Sequence, residues 1–281
     1  MKNFLTRSAS AVVYAGILVA GSLWWSPLLY AALAFFMVIG LIELKKLLKP
    51  EMNQGIFVFW AAICILALST MISAFNDKLL NDDGWLIILS LFLPVLLSFP
   101  LIALSTFSKK TSTGQFAFFA ISLIYIAIPI LFMVGLQTYE FSGNISWLLV
   151  LLAIIWINDT MAYITGSLIG RKKLIERISP GKTWEGFFGG MFFSLAVALI
   201  VNYLFSDYDI DTLTIVTIVI VLSGTLGDLL ESKLKREAGV KDSGNIIPGH
   251  GGILDRIDSL LVAAPFTGLT LLFINALTHW F

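Results

Sequence analysis

Nine stretches of the chain, at 9–25, 28–44, 55–74, 85–104, 116–136, 145–169, 186–205, 213–230 and 260–281, are apolar almost throughout. Each is about 17–25 residues long, the length a helix needs to cross the hydrocarbon of a bilayer. Composition agrees: 58% of the 281 residues are hydrophobic and 13% charged, whereas soluble domains carry about 25% charge. A soluble core of this size cannot hide so much apolar surface, so lipid is the solvent for most of the chain. Closed barrels are the other spanning fold, but they show weak alternation rather than continuous runs. The expectation is an all-α, polytopic transmembrane helical bundle of about nine spans. Only Trp24-Trp25-Ser26-Pro27 separates the first two, which predicts a tight helical hairpin. Lys2 and Arg7 ahead of an apolar run resemble a secretory leader, with Val19-Ala20-Gly21 as a cleavage region. The many spans that follow favour a retained first helix.

Charge sets the orientation. On a nine-span reading Lys2 and Arg7, Lys45, Lys46 and Lys49, Lys109 and Lys110, the basic residues of 171–182 and those of 233–256 share one side. Of the 18 Lys+Arg only Lys78 falls on the other face, amid Asp77, Asp82 and Asp83. The positive-inside rule makes the basic face cytoplasmic. The N-terminus is then cytoplasmic and the C-terminus outside, in what is expected to be a bacterial cytoplasmic (inner) membrane.

Polar residues divide the chain. Residues 1–142 read as N-terminal scaffold helices with short loops. Residues 143–281 read as a C-terminal catalytic region, because polar groups enter its spans and two basic loops lengthen. Cys64 stands alone in an apolar run, a buried space-filling thiol, and with His250 and His279 it cannot build a zinc cage. A net charge of zero says nothing by itself about partners.

The richest segment is 224–258. Asp228, Glu231, Ser232 and Lys235 fall at i, i+3, i+4 and i+7 and share a helix face. Carboxylates at a membrane boundary are costly and usually functional, although Glu231 and Lys235 also fit an ordinary pair on a solvated helix end. A loop with Gly239, Gly244, Gly249, Gly251 and Gly252 follows, of the kind that lets backbone N–H groups approach an anion. Lys241, His250 and Arg256 add donors. Asp255 and Asp258 are expected on the first turn of the last helix, where the macrodipole alone would favour a carboxylate. Carboxylates from two elements beside glycine-flanked cations suit a magnesium–triphosphate complex and hence phosphoryl or nucleotidyl transfer.

The loop at 170–186 holds Gly181-Lys182-Thr183. A Walker A loop would need glycine at Glu176, so only an anion-binding loop using Lys182 and Thr183 remains. Positive-inside anchoring accounts for Arg171–Lys173. In the sixth span Asp159 shares a face with Ala162, Tyr163, Gly166 and Gly170; packing explains the glycines, whereas Asp159 asks for a site.

The run Ser232-Lys-Leu-Lys235-Arg236, then Lys241-Asp242, then Pro248-Gly-His250-Gly251-Gly252-Ile-Leu-Asp255-Arg256-Ile-Asp258 resembles the defining motif of the phosphatidate cytidylyltransferase (CDP-diacylglycerol synthase) family. Ser179–Gly186 and Asp159-Thr160 with Ala162-Tyr163 are similar to it too; Asn158 and Met161 depart from its usual small residue and glycine. The resemblance implies a magnesium-dependent nucleotidyltransferase of phospholipid biosynthesis that makes CDP-diacylglycerol and pyrophosphate from CTP and phosphatidate. It implies Asp228 and Asp255 as metal ligands and, with Ser232 and Lys235, as catalytic residues at the cytoplasmic boundary. Lys182, Thr183, Arg236, Lys241, His250, Arg256 and Asp159 would bind substrate. A phosphate nucleophile, with a second pKa of about 6, needs little help from a base, so direct in-line attack is expected. The expected partners are membrane lipid and a second copy in a homodimer, with no nucleic acid. A transporter would show paired, interrupted spans, and none is visible; a transferase for another nucleotide or lipid is the nearer alternative.

Overall fold

A computed structural model describes residues 2–50, 52–76, 113–142, 145–205, 209–246 and 251–280. Helices dominate it: α1 (Lys2–Leu23), α2 (Ser26–Leu48), α3 (Gln54–Asn76), α4 (Thr113–Ser122), α5 (Ile128–Thr138), α6 (Trp147–Ile169), α7 (Trp184–Phe205), α8 (Ile210–Glu237) and α9 (Leu254–Trp280). Strands β1 (Glu140–Ser142) and β2 (Ile145–Ser146) form one antiparallel pair, and β3 (Lys173–Ile175) and β4 (Ser179–Thr183) another. Among the described residues seven helical stretches are long and apolar enough to cross a membrane. They coincide with the second, third and fifth to ninth spans read from the sequence, so the protein is an all-α polytopic membrane protein. The first expected span overlaps α1, whose stretch Val12–Leu23 is apolar but shorter. The fourth, at 85–104, lies outside the described residues.

Two helices run past the apolar spans read from the sequence. Helix α8 runs on to Glu237, past the end of the apolar span at 230, so Asp228 lies well inside it while Lys235 and Arg236 stand in its last turn. Helix α9 starts at Leu254, six residues before the expected span, because polar residues can continue a helix after its apolar stretch stops. Asp255 is in the first turn, as expected, whereas Asp258 is a turn further in.

The chain forms two compact units, one of residues 1–135 with 240–255, the other of 136–239 with 256–281. In the first, α2 packs on α1, α3 and α4. Leu29, Leu33, Met37, Leu41 and Leu44 recur every three or four residues, so one face of α2 is wholly buried. At the α1–α2 hairpin a Cβ on Gly21 would come within 2.7 Å of the Leu29 backbone nitrogen, so only glycine allows the turn. The Trp60 indole donates to Ser122 Oγ at 3.0 Å, satisfying both polar groups inside an apolar core. Between α4 and α5 the helix widens into a π turn at Leu123–Ala127. Pro129 follows, and it lacks the N–H that a regular helix would use.

In the second unit α6 and α7 pair along most of their length, and α8 packs on both. Their seam is made of small residues: Cβ atoms on Gly186 and Gly190 would come 2.7 Å from Ala162 O and 2.5 Å from Asn158 Oδ1. Close backbone approach lets dispersion hold helices together in lipid, where no hydrophobic force does so. Tyr163, on the same helix, is exposed.

Candidate active site

In the second unit several elements bring charge together. Hairpin β3–β4 pairs Lys173 with Thr183 and Ile175 with Ser179. Its base is locked by Glu185 in the first turn of α7, which accepts from the backbone N–H groups of Arg171 at 3.0 Å and Lys172 at 3.1 Å. Buried Thr183 caps α7, its Oγ1 accepting from Gly186 N at 3.1 Å. The same hydroxyl would lie 3.0 Å from a Cβ on Gly166 of α6 and 2.8 Å from one on Gly170 just beyond it, so the lack of a side chain at both lets Thr183 pack closely. Thr183 is thus engaged in holding the hairpin end, and its neighbour Lys182 carries the charge.

Lys182 Nζ stands 2.5 Å from Asp228 Oδ2, both side chains part-exposed. Ser232 Oγ, one turn along α8, donates to Asp228 Oδ1 at 3.2 Å. Asp159 on α6 lies within electrostatic reach of Lys182 and Asp228, and its Oδ1 accepts from Asn158 Nδ2 at 3.4 Å. Asp258 on α9 faces Asp228 and, more weakly, Asp159 and Lys235. It gets there because Gly227 lets α9 cross closely: a Cβ there would be 3.1 Å from Ser259 Cα. Asp258 is therefore more than a helix-start carboxylate. The signal for it was the i, i+3 spacing from Asp255, which equally fits a helix N-terminus.

Glu231 and Lys235 form the ion pair that their spacing suggests. The pair is not on a solvated helix end, however: Glu231 is 0% and Lys235 12% exposed. Arg236 is exposed, as are Arg256 on α9 and Lys241.

The first unit holds Asp255. Its Oδ2 accepts from Ser243 N at 2.9 Å, Ser243 Oγ at 2.9 Å and Gly252 N at 2.8 Å. In the described part of the loop, the Ser243 and Gly252 backbone N–H groups bond one of the protein's own carboxylates, Asp255. Gly251 takes a left-handed φ of +82°, as the turn into α9 requires. The second carboxylate in the loop is Glu43, from α2, fully buried and bonded to Ser243, Ile253 and Leu254. Sequence reasoning missed it, since it sits at the end of a span beside Lys45 and Lys46 and reads as a boundary charge. His250 lies outside the described residues.

Among the described residues no three His, Cys, Asp or Glu side chains form a metal-holding group. The donors present still fit magnesium, which takes oxygen ligands, often only one or two protein carboxylates, and completes its shell with phosphate and water. Asp228 is open to water and to a phosphate ligand, and its surroundings offer further carboxylate oxygens and no thiolate.

The profile of the cytidylyltransferase family matches residues 2–274. Curated relatives carrying the name phosphatidate cytidylyltransferase align over nearly the full length. One from Staphylococcus aureus (strain COL) is 34% identical over 271 residues, 95% of this chain and 97% of the relative. Another, from Staphylococcus saprophyticus, is 35% identical over 275 residues with the same coverage. A third, from Staphylococcus epidermidis (strain ATCC 35984), is 36% identical over 272 residues, again with that coverage.

Proposed function

The chain belongs to the cytidylyltransferase family, and on that premise we propose that it is a nucleotidyltransferase making CDP-diacylglycerol and pyrophosphate from CTP and phosphatidate. The observation that carries this reading is the meeting of Lys182, Asp228 and Ser232 from two elements, with Asp159 and Asp258 around them. Both signs of charge that a metal–triphosphate needs stand side by side at one place.

In the reaction a phosphatidate oxygen attacks the α-phosphorus of CTP in line. The new P–O bond forms as the α–β bridging P–O bond breaks, and pyrophosphate leaves with that electron pair. Lys182, Lys235, Arg236, Lys241, His250 and Arg256 would bind the phosphates, so that charge developing on the leaving group meets fixed cations. Ser232 would donate to a phosphate oxygen in place of Asp228. Asp159 would orient Lys182, and Thr183 would hold the hairpin that carries it. Asp228 and Asp255 would hold magnesium, which when bound supplies charge neutralisation and alignment. Alignment and charge stabilisation make up most of the catalysis of such transfers.

The setting we propose is a nine-span protein of a bacterial cytoplasmic (inner) membrane, acting as a homodimer. The basic face and the N-terminus would be cytoplasmic, the C-terminus outside, and the site at the cytoplasmic boundary, where CTP is available. Residues 143–281 would carry the chemistry and 1–142 the scaffold.

The test is turnover by the purified protein in lipid vesicles, across CTP, UTP, ATP and GTP and across phosphatidate, lysophosphatidate and diacylglycerol. Pyrophosphate release is expected only with CTP and phosphatidate together. Release with another nucleotide, or from diacylglycerol, would assign the site to a different transferase.

A further inference from the structure

Glu43 is a buried acidic side chain that the reaction scheme does not use, and it is held at many points in the first unit. It is fully buried on α2. Its Oε1 accepts from Ile253 N at 3.1 Å, and its Oε2 from Leu254 N at 2.9 Å and from Ser243 Oγ at 3.1 Å. Leu254 is the first residue of α9, so a carboxylate from a remote helix caps that helix from outside its own sequence. Two glycines make room for it. A Cβ on Gly252 would lie 2.6 Å from Glu43 Oε2, and one on Gly244 would strike Oε1. Among the described residues no lysine or arginine forms an ion pair with it. Its charge is therefore held by aligned N–H and O–H dipoles. A buried ion so expensive to place is more than filler.

Ser243 links this anchor to the proposed metal ligand. Its Oγ is 3.1 Å from Glu43 Oε2 and 2.9 Å from Asp255 Oδ2. One hydroxyl carries one hydrogen, which can go to only one of the two carboxylates at a time. The Ser243 backbone N–H also bonds Asp255, so displacing Ser243 displaces that carboxylate.

We infer that Glu43 is a positioning residue for the reaction: it fixes the loop around Ser243 and the start of α9, and thereby the rotation of the Asp255 carboxylate. This rests on the reading of Asp255 as a magnesium ligand. Groups that orient a metal ligand are worth about 10–100-fold in metal affinity or activity. Glutamine cannot replace Glu43, because Ile253 and Leu254 donate to different oxygens and an amide offers one.

The experiment uses full-length protein in nanodiscs and the variants Glu43→Gln, Ser243→Ala and Asp255→Asn. Amide hydrogen exchange over 240–255 and the magnesium concentration for half-maximal turnover are measured on each. Glu43→Gln should exchange faster in 240–255 but not in α6–α8, and should need about 10–100-fold more magnesium, with KM for phosphatidate unchanged. Ser243→Ala keeps the Glu43 bonds to Ile253 and Leu254, so it should fold even where Glu43→Gln does not, and it too should need more magnesium. If both variants keep the wild-type magnesium response while Asp255→Asn loses it, Glu43 only stabilises the fold and the inference is overturned. If Asp255→Asn itself keeps the wild-type response, the metal reading fails and the inference falls with it.

Discussion

Lys235 and Glu231 occupy positions that spacing alone assigns to a helix surface, and burial gives them a different meaning. Removing Lys235 leaves the Glu231 carboxylate buried without its partner, which costs about 3–5 kcal/mol for a pair of this kind. Lys235→Ala should therefore lower the thermal midpoint as well as turnover. Combining Glu231→Gln with Lys235→Met should restore the midpoint and leave turnover impaired. If the double variant turns over like wild type, Lys235 touches no substrate and the pair is only structural. Asp228 separates the two effects more cleanly because it is part-exposed and paired with Lys182. Asp228→Asn keeps the size and removes the charge, and turnover should fall on the order of a hundredfold or more in protein that remains folded. Near wild-type activity with unchanged magnesium dependence would place the metal elsewhere. The carboxylates at Asp159 and Asp228 were legible in the sequence because an acid inside an apolar run has few bland explanations. Glu43 was not, because hydrogen bonds across about two hundred residues leave no local pattern.

At the scale of elements, apolar run length located the helices, and the structure shows them wherever those residues are described. Where a helix continued as polar sequence, as in α8 beyond 230 and α9 before 260, run length stopped short. The β3–β4 hairpin was read as loop, since two strands of three and five residues carry too few alternating positions to register. Gly166 and Gly170 were legible as packing residues, though not what each one faced, whereas the glycines of α7 that meet α6 carried no such signal. A methyl at Gly186 would press on the Ala162 carbonyl oxygen at 2.7 Å, whereas Gly181 has open space around it. Gly186→Ala should accordingly destabilise the protein by about 1–3 kcal/mol and Gly181→Ala should be nearly neutral. Thermal unfolding in detergent measures both. Equal midpoints for the two variants would mean that the α6–α7 seam is looser than its geometry implies.

For the whole molecule, orientation decides whether the proposed site can meet CTP at all. On the nine-span reading nearly every lysine and arginine would fall on one face, which predicts that the hairpin and the glycine-rich loop are cytoplasmic. Glu176 and Asn245 are exposed and suit cysteine labelling, whereas Ser243 is buried and bonded to Asp255. Native Cys64 is buried and should stay silent. Glu176→Cys and Asn245→Cys should react with an impermeant maleimide only from the cytoplasmic side; reaction from outside would overturn the topology. The central claim is the transfer itself, and isotope fate tests it most directly. Vesicles holding the purified protein and phosphatidate are given CTP labelled at the α-phosphate or at the γ-phosphate. The α label should move into the lipid as CDP-diacylglycerol while the γ label leaves as pyrophosphate. Label from the γ position in the lipid, or none from the α position, would contradict cytidylyl transfer.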